Sequence, residues 1–485
     1  MFSLNIKPQY IPARYFSFCV LLTVLLVTLS IRSLQGELFI TDAQYMVAAG
    51  RWIIANGHLP TTDPLSIHSE LTYICQQYPI CILVAVLYDT FGEMSVRLFF
   101  ALLDMVAVLF IWYQTFPKAG NRILHCAVSC VFGAVIVYSL RSTPRALDIL
   151  CLAVSWELME KYIKSRDIRF LFGFPFLGVC IANLHGALWP CAIMLPLAAL
   201  LDSKLDPNAR VALAVTILLT IASAMLNPYG LDVLSLPFKT IGTSDIATVA
   251  VPELKPMFSI VPVEAVILIV ISVVPVIFHA KCLGFKKTVF SFETMMISGL
   301  LFLSLMTWRN ELLLLGILMI VYSTWCWKLE PKCKVSSKML SRIVLFSISV
   351  VALEFGAVLF YSTLSATDQK SISIERAFQA MREDGAVSGT AVLTDIDPGC
   401  RAELNGFKPY LDTRIEVFNG QKNVLAEAGK ALSSGSLSAI CDDYGMDYAV
   451  LNYGINDVGI QDLEESGFKP VYSDNLTVCL KRSTV

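Results

Sequence analysis

About eleven apolar runs, most of them near the length a helix needs to cross a bilayer, divide this chain. They start near residues 15, 96, 123, 146, 168, 187, 210, 261, 289, 310 and 340. No water-soluble core can absorb so many such runs, so they predict an α-helical polytopic membrane protein. Composition agrees where it bears on this: 56% of residues are hydrophobic, 16% are charged, and the mean hydropathy is +0.65. A net charge of −2 provides no basic excess that would call for nucleic acid as a partner. Most of the 14 cysteines, among them Cys126, Cys130, Cys151 and Cys180, lie inside apolar runs and match no metal-ligand spacing. Lys7 and Arg14 precede the first run, which ends without a small-residue cleavage site and reads as an uncleaved anchor.

Positive charge sets the orientation, because Lys and Arg of short loops stay cytoplasmic. The short run Pro79–Phe91 is ambiguous between a span and an interfacial helix. If it does not cross, the N-terminus, "PKAGNR", "KYIKSRDIR", "SKLDPNAR", "KCLGFKK" and "KLEPKCKVSSK" all fall on one side. If it crosses, three of those clusters move outside, so the first arrangement is preferred. It predicts a multi-pass plasma-membrane protein with a cytoplasmic N-terminus and an extracytoplasmic C-terminus. Residues 1–365 would form the membrane domain, with a first outer loop over 32–78. Residues 366–485 alternate helix-like and strand-like stretches and predict an extracytoplasmic α/β domain. Two of Cys400, Cys441 and Cys479 could pair there.

The outer face collects the chemistry. "ELFITDAQYMVAAGRW" places Asp42 after Thr41, an N-cap residue, at the head of a helix that runs to Asn56-Gly57. Arg141 and Arg145 in "LRSTPRALD" and Arg309 in "TWRNE" occupy short outer turns, where basic residues are disfavoured unless they have anionic partners. A guanidinium suits a lipid phosphate; snorkelling, or pairing with Asp148 and Glu311, is the plainer reading. His185 in "IANLHGALWP" sits with Asn183 at a turn between two spans, able to contact a phosphate or sugar or simply to pack between helices. "LNPYGLD" reads as structural turn chemistry, and Glu253 is a further outer carboxylate. Together these residues fit a membrane-embedded site for an anionic lipid substrate. The carboxylate would deprotonate an acceptor hydroxyl or hold a metal, and the cations would stabilise a departing phosphate.

The chain then resembles the C-type glycosyltransferase superfamily (GT-C), and more closely a branch of poorly characterised bacterial polytopic proteins. That branch reads "DLWWHLATGRWI…HG.VP.TDPFS" in the first loop, where this chain has "DAQYMVAAGRWIIANGHLPTTDPLS". "NLHG", "LNPYG", Glu253, Arg309-Asn310 and "YLDTRIEVF" resemble later elements of the same branch. The resemblance implies a polyprenyl-phosphate- or polyprenyl-diphosphate-linked sugar donor, with Asp42 as catalytic base or metal contact. It adds Arg51 and Asn310 to Arg141, Arg145, Asn183, His185, Glu253 and Arg309 as substrate contacts. A divalent metal such as Mg or Mn is compatible with this, with Asp42 and Asp63 the candidate ligands, but the residues require none; "TTDP" around Asp63 reads equally as a turn. The chain departs from the branch at Gln76-Gln77-Tyr78, where relatives have His-Glu-Trp. The expected function is transfer of a sugar to an envelope glycan, lipid or protein acceptor at the outer face. The alternatives are a transporter or flippase of the same lipid-linked glycan, and a non-catalytic scaffold.

Overall fold

The computed structural model describes residues 13–34, 42–140, 143–240, 252–325, 342, 345–353, 355–356, 367–418, 424–454 and 456–483. Arg141, Thr41 and the basic segment 328–338 lie outside them. Among the described residues, five helices are long and apolar enough to cross a membrane: Ala13–Ser33, Glu93–Lys118, Arg122–Ser139, Pro207–Ala224 and Pro262–Lys281. Shorter apolar helices lie between them. The chain is an integral membrane protein built on a helical bundle.

Five elements position the site. Helix α1 is Ala13–Leu34 and α2 is Asp42–Asn56. Helix α3 is Tyr78–Phe91, α4 is Glu93–Thr115 and α5 is Arg145–Ser165. The bundle has one continuous apolar core that includes Leu25, Val108, Phe132, Trp156, Leu195 and Leu315. Leu98, Leu102 and Val106 of α4 face outward, as do Val215, Leu218 and Leu219, and these apolar flanks suit lipid.

Helix α2 is buried along most of its length. It ends at Gly57 with φ +70°, whose N–H donates to the Ile53 carbonyl at 2.9 Å. Helices α2 and α3 approach so closely that a Cβ on Gly50 would stand 2.0 Å from the Cys81 carbonyl oxygen. The buried side chains of α3 (Ile80, Cys81, Val84) belong to a cluster shared with α2 and the C-terminal domain, separate from the bundle core.

The C-terminal domain has a five-stranded sheet in the order β2-β1-β3-β5-β4. Its strands are β1 Ala391–Thr394, β2 Lys408–Pro409, β3 Tyr448–Asn452, β4 Phe468–Ser473 and β5 Thr477–Arg482. β1 runs parallel to β2 and β3, while β5 is antiparallel to β3 and β4. Alternation along the strands divides the two faces. Val392, Val450 and Cys479 pack on the C-terminal helix Thr367–Glu383 through Phe378 and Met381. Leu393, Ala449, Leu451 and Leu480 join the cluster that contains the first outer loop. Cys400, Cys441 and Cys479 are all free buried thiols, so the expected pairing is not formed.

An ionic centre fastens this domain to the first outer loop. Arg414 is fully buried, with Asp412, Asp63 and Glu403 at 2.5, 2.6 and 2.6 Å, all three carboxylates equally buried. Tyr73 lies face-on to the guanidinium at 5.0 Å. Asp63 also accepts from the Leu65 N–H and the Ser66 hydroxyl, so "TTDP" is a turn whose carboxylate reaches into the domain interface. Beside it, the Ile67 N–H donates to the Pro409 carbonyl at 3.1 Å.

Candidate active site

Asp42 opens α2, where the unpaired N–H groups of the first turn favour an anion. Burial raises its carboxyl above the ordinary value of 3.8. The nearby Thr413 hydroxyl and the charges of Arg309 and Arg145 oppose the rise, and Glu253 adds to it. Four elements therefore converge on Asp42: the first residue of α5, the short turns carrying Glu253 and Arg309, and the C-terminal domain.

Arg145 pairs with Glu253 at 2.7 Å, and its Nε is buried without a partner among the described residues. The turn of Glu253 is held beside that of Arg309 because the Trp308 N–H donates to the Lys255 carbonyl at 3.1 Å. Arg309 feels the charges of Glu253, Asp42, Glu416 and Asp148, but makes no ion pair among the described residues. It is a guanidinium surrounded by acids and, among the described residues, held by none, which leaves its fork open to an anion.

His185 follows helix α6 of the bundle, Gly173–Leu184, which ends at "NLHG". The imidazole is buried, and Nδ1 stands 2.8 and 2.9 Å from the two oxygens of Asp148. Asp148 lies one turn into α5, so the Arg145 helix also orients His185 and leaves Nε2 as the nitrogen for other contacts. Gln76 pins this turn to the first loop: its carbonyl accepts from the Gly186 N–H and its Oε1 from the Ala187 N–H, both at 2.9 Å. Its Nε2 donates to Glu416 at 3.3 Å. Burial raises the Glu416 carboxyl, against the pull of Arg309 and Arg414.

The structure thus brings together Asp42, Arg145, Glu253, Arg309 and His185. Others stand apart. Arg51 pairs with the Asp89 carboxylate at 2.5 Å and reaches the Leu404 carbonyl, facing the C-terminal domain. Asn183 is spent on the Tyr78 hydroxyl and the Leu226 carbonyl. Asn310 donates to the Leu303 carbonyl at 3.3 Å. A cavity of about 330 Å³ beside Arg51, Trp52 and Lys408 lies at the other end of α2 from Asp42. Asp148, Thr413, Glu416 and Gln76 are the additions that sequence reasoning did not place in the site. Thr413 and Glu416 lie within "YLDTRIEVF", and that motif was the available signal.

The donor set does not fit a metal. Asp63 is consumed by Arg414, Glu253 by Arg145, and two guanidiniums stand beside Asp42. Among the described residues no group of three His, Cys, Asp or Glu is placed to hold an ion. We derive no step through one.

No family model and no curated protein matches the sequence. Solved structures do match. The oligosaccharyltransferase of Archaeoglobus fulgidus, tethered to an acceptor peptide, aligns over 97% of this chain and 74% of its own, with a TM-score of 0.58 at 12% identity. ArnT from Cupriavidus metallidurans aligns over 96% of this chain and 97% of its own when bound to undecaprenyl phosphate, with a TM-score of 0.51 at 12% identity. Its apo state gives a TM-score of 0.53 at 14% identity. A helical membrane bundle, a helix-bearing first loop and a C-terminal domain packed upon it give this chain the fold of these two membrane proteins, the oligosaccharyltransferase and ArnT.

Proposed function

We propose that the protein transfers a sugar from a polyprenyl-phosphate- or polyprenyl-diphosphate-linked donor to an envelope acceptor at the outer membrane face. The convergence of Asp42 with Arg145, Arg309 and His185 carries this reading. Asp42 acts as general base: it takes the proton of the acceptor hydroxyl as the oxygen attacks the sugar carbon. The bond to the donor phosphate breaks, and its electrons leave with the phosphate. A carboxylate whose proton affinity is raised by burial suits that task near neutral pH. Arg309, Arg145 and the Nε2 of His185 receive the charge that develops on the phosphate. Direct attack inverts the sugar carbon.

The ArnT structure named above holds undecaprenyl phosphate, a lipid of the donor class proposed here. The charge pattern of the loops supports a cytoplasmic N-terminus and an outer C-terminus. The test uses a strain lacking the protein, complemented with wild type or with Asp42→Asn, and compares envelope glycans and polyprenyl-linked intermediates by mass spectrometry. Wild type restores a missing sugar; Asp42→Asn at equal membrane level does not. Full restoration by Asp42→Asn would reduce Asp42 to a helix-terminus residue. Movement of the lipid-linked glycan with no new glycosidic bond would indicate a transporter instead.

A further inference from the structure

Two thiols meet where the first outer loop enters α3. The Sγ atoms of Cys75 and Cys81 stand 3.7 Å apart, and both side chains are buried. Local structure puts them there. The Tyr78 N–H donates to the Cys75 carbonyl at 3.2 Å, which closes a turn. Cys81 follows in the first turn of α3, where its N–H donates to the Gln77 carbonyl at 3.0 Å. Pro79 opens that helix with its backbone already set for it. Both cysteines belong to the apolar cluster that α2 and α3 share with the C-terminal domain, together with Tyr45, Tyr73 and Ile80. Cys400 differs: its Sγ stands 3.2 Å from the Thr413 hydroxyl.

We propose that Cys75 and Cys81 are a modification site, joined into a disulfide by an extracytoplasmic thiol–disulfide exchange oxidant. This rests on the outer orientation proposed above, which places the first loop in an oxidising compartment. The thiolate of one cysteine attacks a sulfur of the oxidant's disulfide; that bond breaks and a mixed disulfide forms. The second thiolate attacks the cysteine sulfur of the mixed disulfide. The Cys75–Cys81 bond forms, and the oxidant leaves as a dithiol carrying the two electrons and the two protons of the cysteines. The contact shortens to a bond of about 2 Å. Both cysteines are synthesised before the C-terminal domain that shares their cluster, so exchange takes place while the loop is open and burial then shields the bond. The bridge spans Gln76 and Gln77. Gln76 holds the Gly186 and Ala187 N–H groups beside His185, and Gln77 donates to the Tyr45 hydroxyl of α2 at 2.5 Å. Gly50 of α2 packs against the Cys81 carbonyl. The disulfide therefore locks one turn on which both α2 and the His185 turn rest.

The experiment reads one peptide. Trypsin releases residues 52–97 as a single fragment, in which Cys75 and Cys81 are the only cysteines. Cells making the full-length protein are quenched in acid, denatured with N-ethylmaleimide and digested, and the fragment is weighed. The wild-type fragment should lack two hydrogens and carry no maleimide, and should take up two maleimides only when a reductant precedes labelling. Cys75→Ala should leave Cys81 free to take one. Two maleimides on the unreduced wild-type fragment, or either cysteine joined to a different peptide, overturns the inference. A phosphatase fused to the C-terminus of the full chain, active only outside the cytoplasm, reads the orientation separately. Free thiols with an active phosphatase overturn this inference alone; free thiols with an inactive one overturn the orientation as well. In detergent, reductant should lower the melting midpoint of the wild type by a few degrees, as expected for opening a short closed loop, and leave the Cys75→Ala, Cys81→Ala double variant unmoved. An unmoved wild type overturns the locking role.

Discussion

Replacing Arg414 with alanine should loosen the C-terminal domain from the membrane bundle. The guanidinium and its three carboxylate partners have no solvent exposure. Burial alone would push Asp63 up, but the Arg414 charge and its hydrogen bonds hold it below the ordinary value of 3.8. Burial pushes Glu403 well above its ordinary range, against the charge of Arg414. Removing the cation strands Asp63 and Asp412 in an apolar interface. Breaking a buried pair in this way costs about 3–5 kcal/mol. That is a large share of the roughly 5–15 kcal/mol that holds a domain folded. The assay is limited proteolysis of the full-length protein in detergent, with a thermal melt alongside. Arg414→Ala should release a C-terminal fragment where wild type resists, and should lower the melting midpoint on the order of 10 °C. Glu403→Gln should do the reverse. Between its ordinary value of 4.5 and its raised folded value, the folded state keeps a proton on Glu403 that the unfolded chain gives up, so stability falls as pH rises through that window. A glutamine removes that penalty at neutral pH. Asp63 has the opposite sign: its contribution is present above about 3.8 and is lost as pH falls toward its lowered folded value. An Arg414→Ala variant that melts and digests like wild type would refute the reasoning, as would equal destabilisation by both substitutions.

Arg309→Gln should lower kcat/KM by about 100- to 1000-fold at unchanged membrane level, the scale for losing one preorganised donor to developing charge; a change under about threefold would remove Arg309 from the phosphate site. Gly50→Leu should separate α2 from α3, because even a Cβ meets the Cys81 carbonyl oxygen at 2.0 Å. Its cost is at least the roughly 1–3 kcal/mol of overpacking, read as a lower melting midpoint in detergent, and an unchanged midpoint would show that the two helices can part freely. Asp42→Asn should abolish transfer while leaving the melting midpoint at neutral pH unchanged or higher, since burial disfavours the charge it removes; a large drop in midpoint would assign Asp42 to structure.

The sequence made the membrane class legible because long apolar runs have no other use, and strands β1, β3, β4 and β5 because short strand-like stretches recur there between helix-like ones. β2, Lys408–Pro409, escaped because a two-residue strand has no period. Arg145 and Arg309 stood out in the sequence because charge at a turn between membrane helices is expensive and so calls for a partner, His185 because a polar side chain in such a turn does too, and Asp42 because it heads a helix. The identity of the partners was not legible, because they come from distant parts of the chain. Arg145 answers to Glu253, 108 positions on. Arg414 answers to Asp63 across 351 positions, and nothing local in "TTDP" distinguishes a turn aspartate from one half of a buried ion pair. Gln76 and Gln77 looked like losses in sequence; in space one binds Glu416 and the other donates to the Tyr45 hydroxyl at 2.5 Å.

Asp42 ties function to stability through one proton. Its folded-state pKa is raised above the ordinary 3.8, so between those two values the folded chain holds a proton that the unfolded chain has released. Stability must then fall as pH rises through that window. In the same window the carboxylate that the proposed reaction needs comes into being, so activity should rise. The two curves share an inflection and run in opposite directions, as expected of a group kept in a costly environment for its chemistry. Asp42→Asn should flatten that part of both. If it removes the activity but leaves the pH dependence of stability intact, another carboxyl, with Glu416 the nearest in kind, holds the proton.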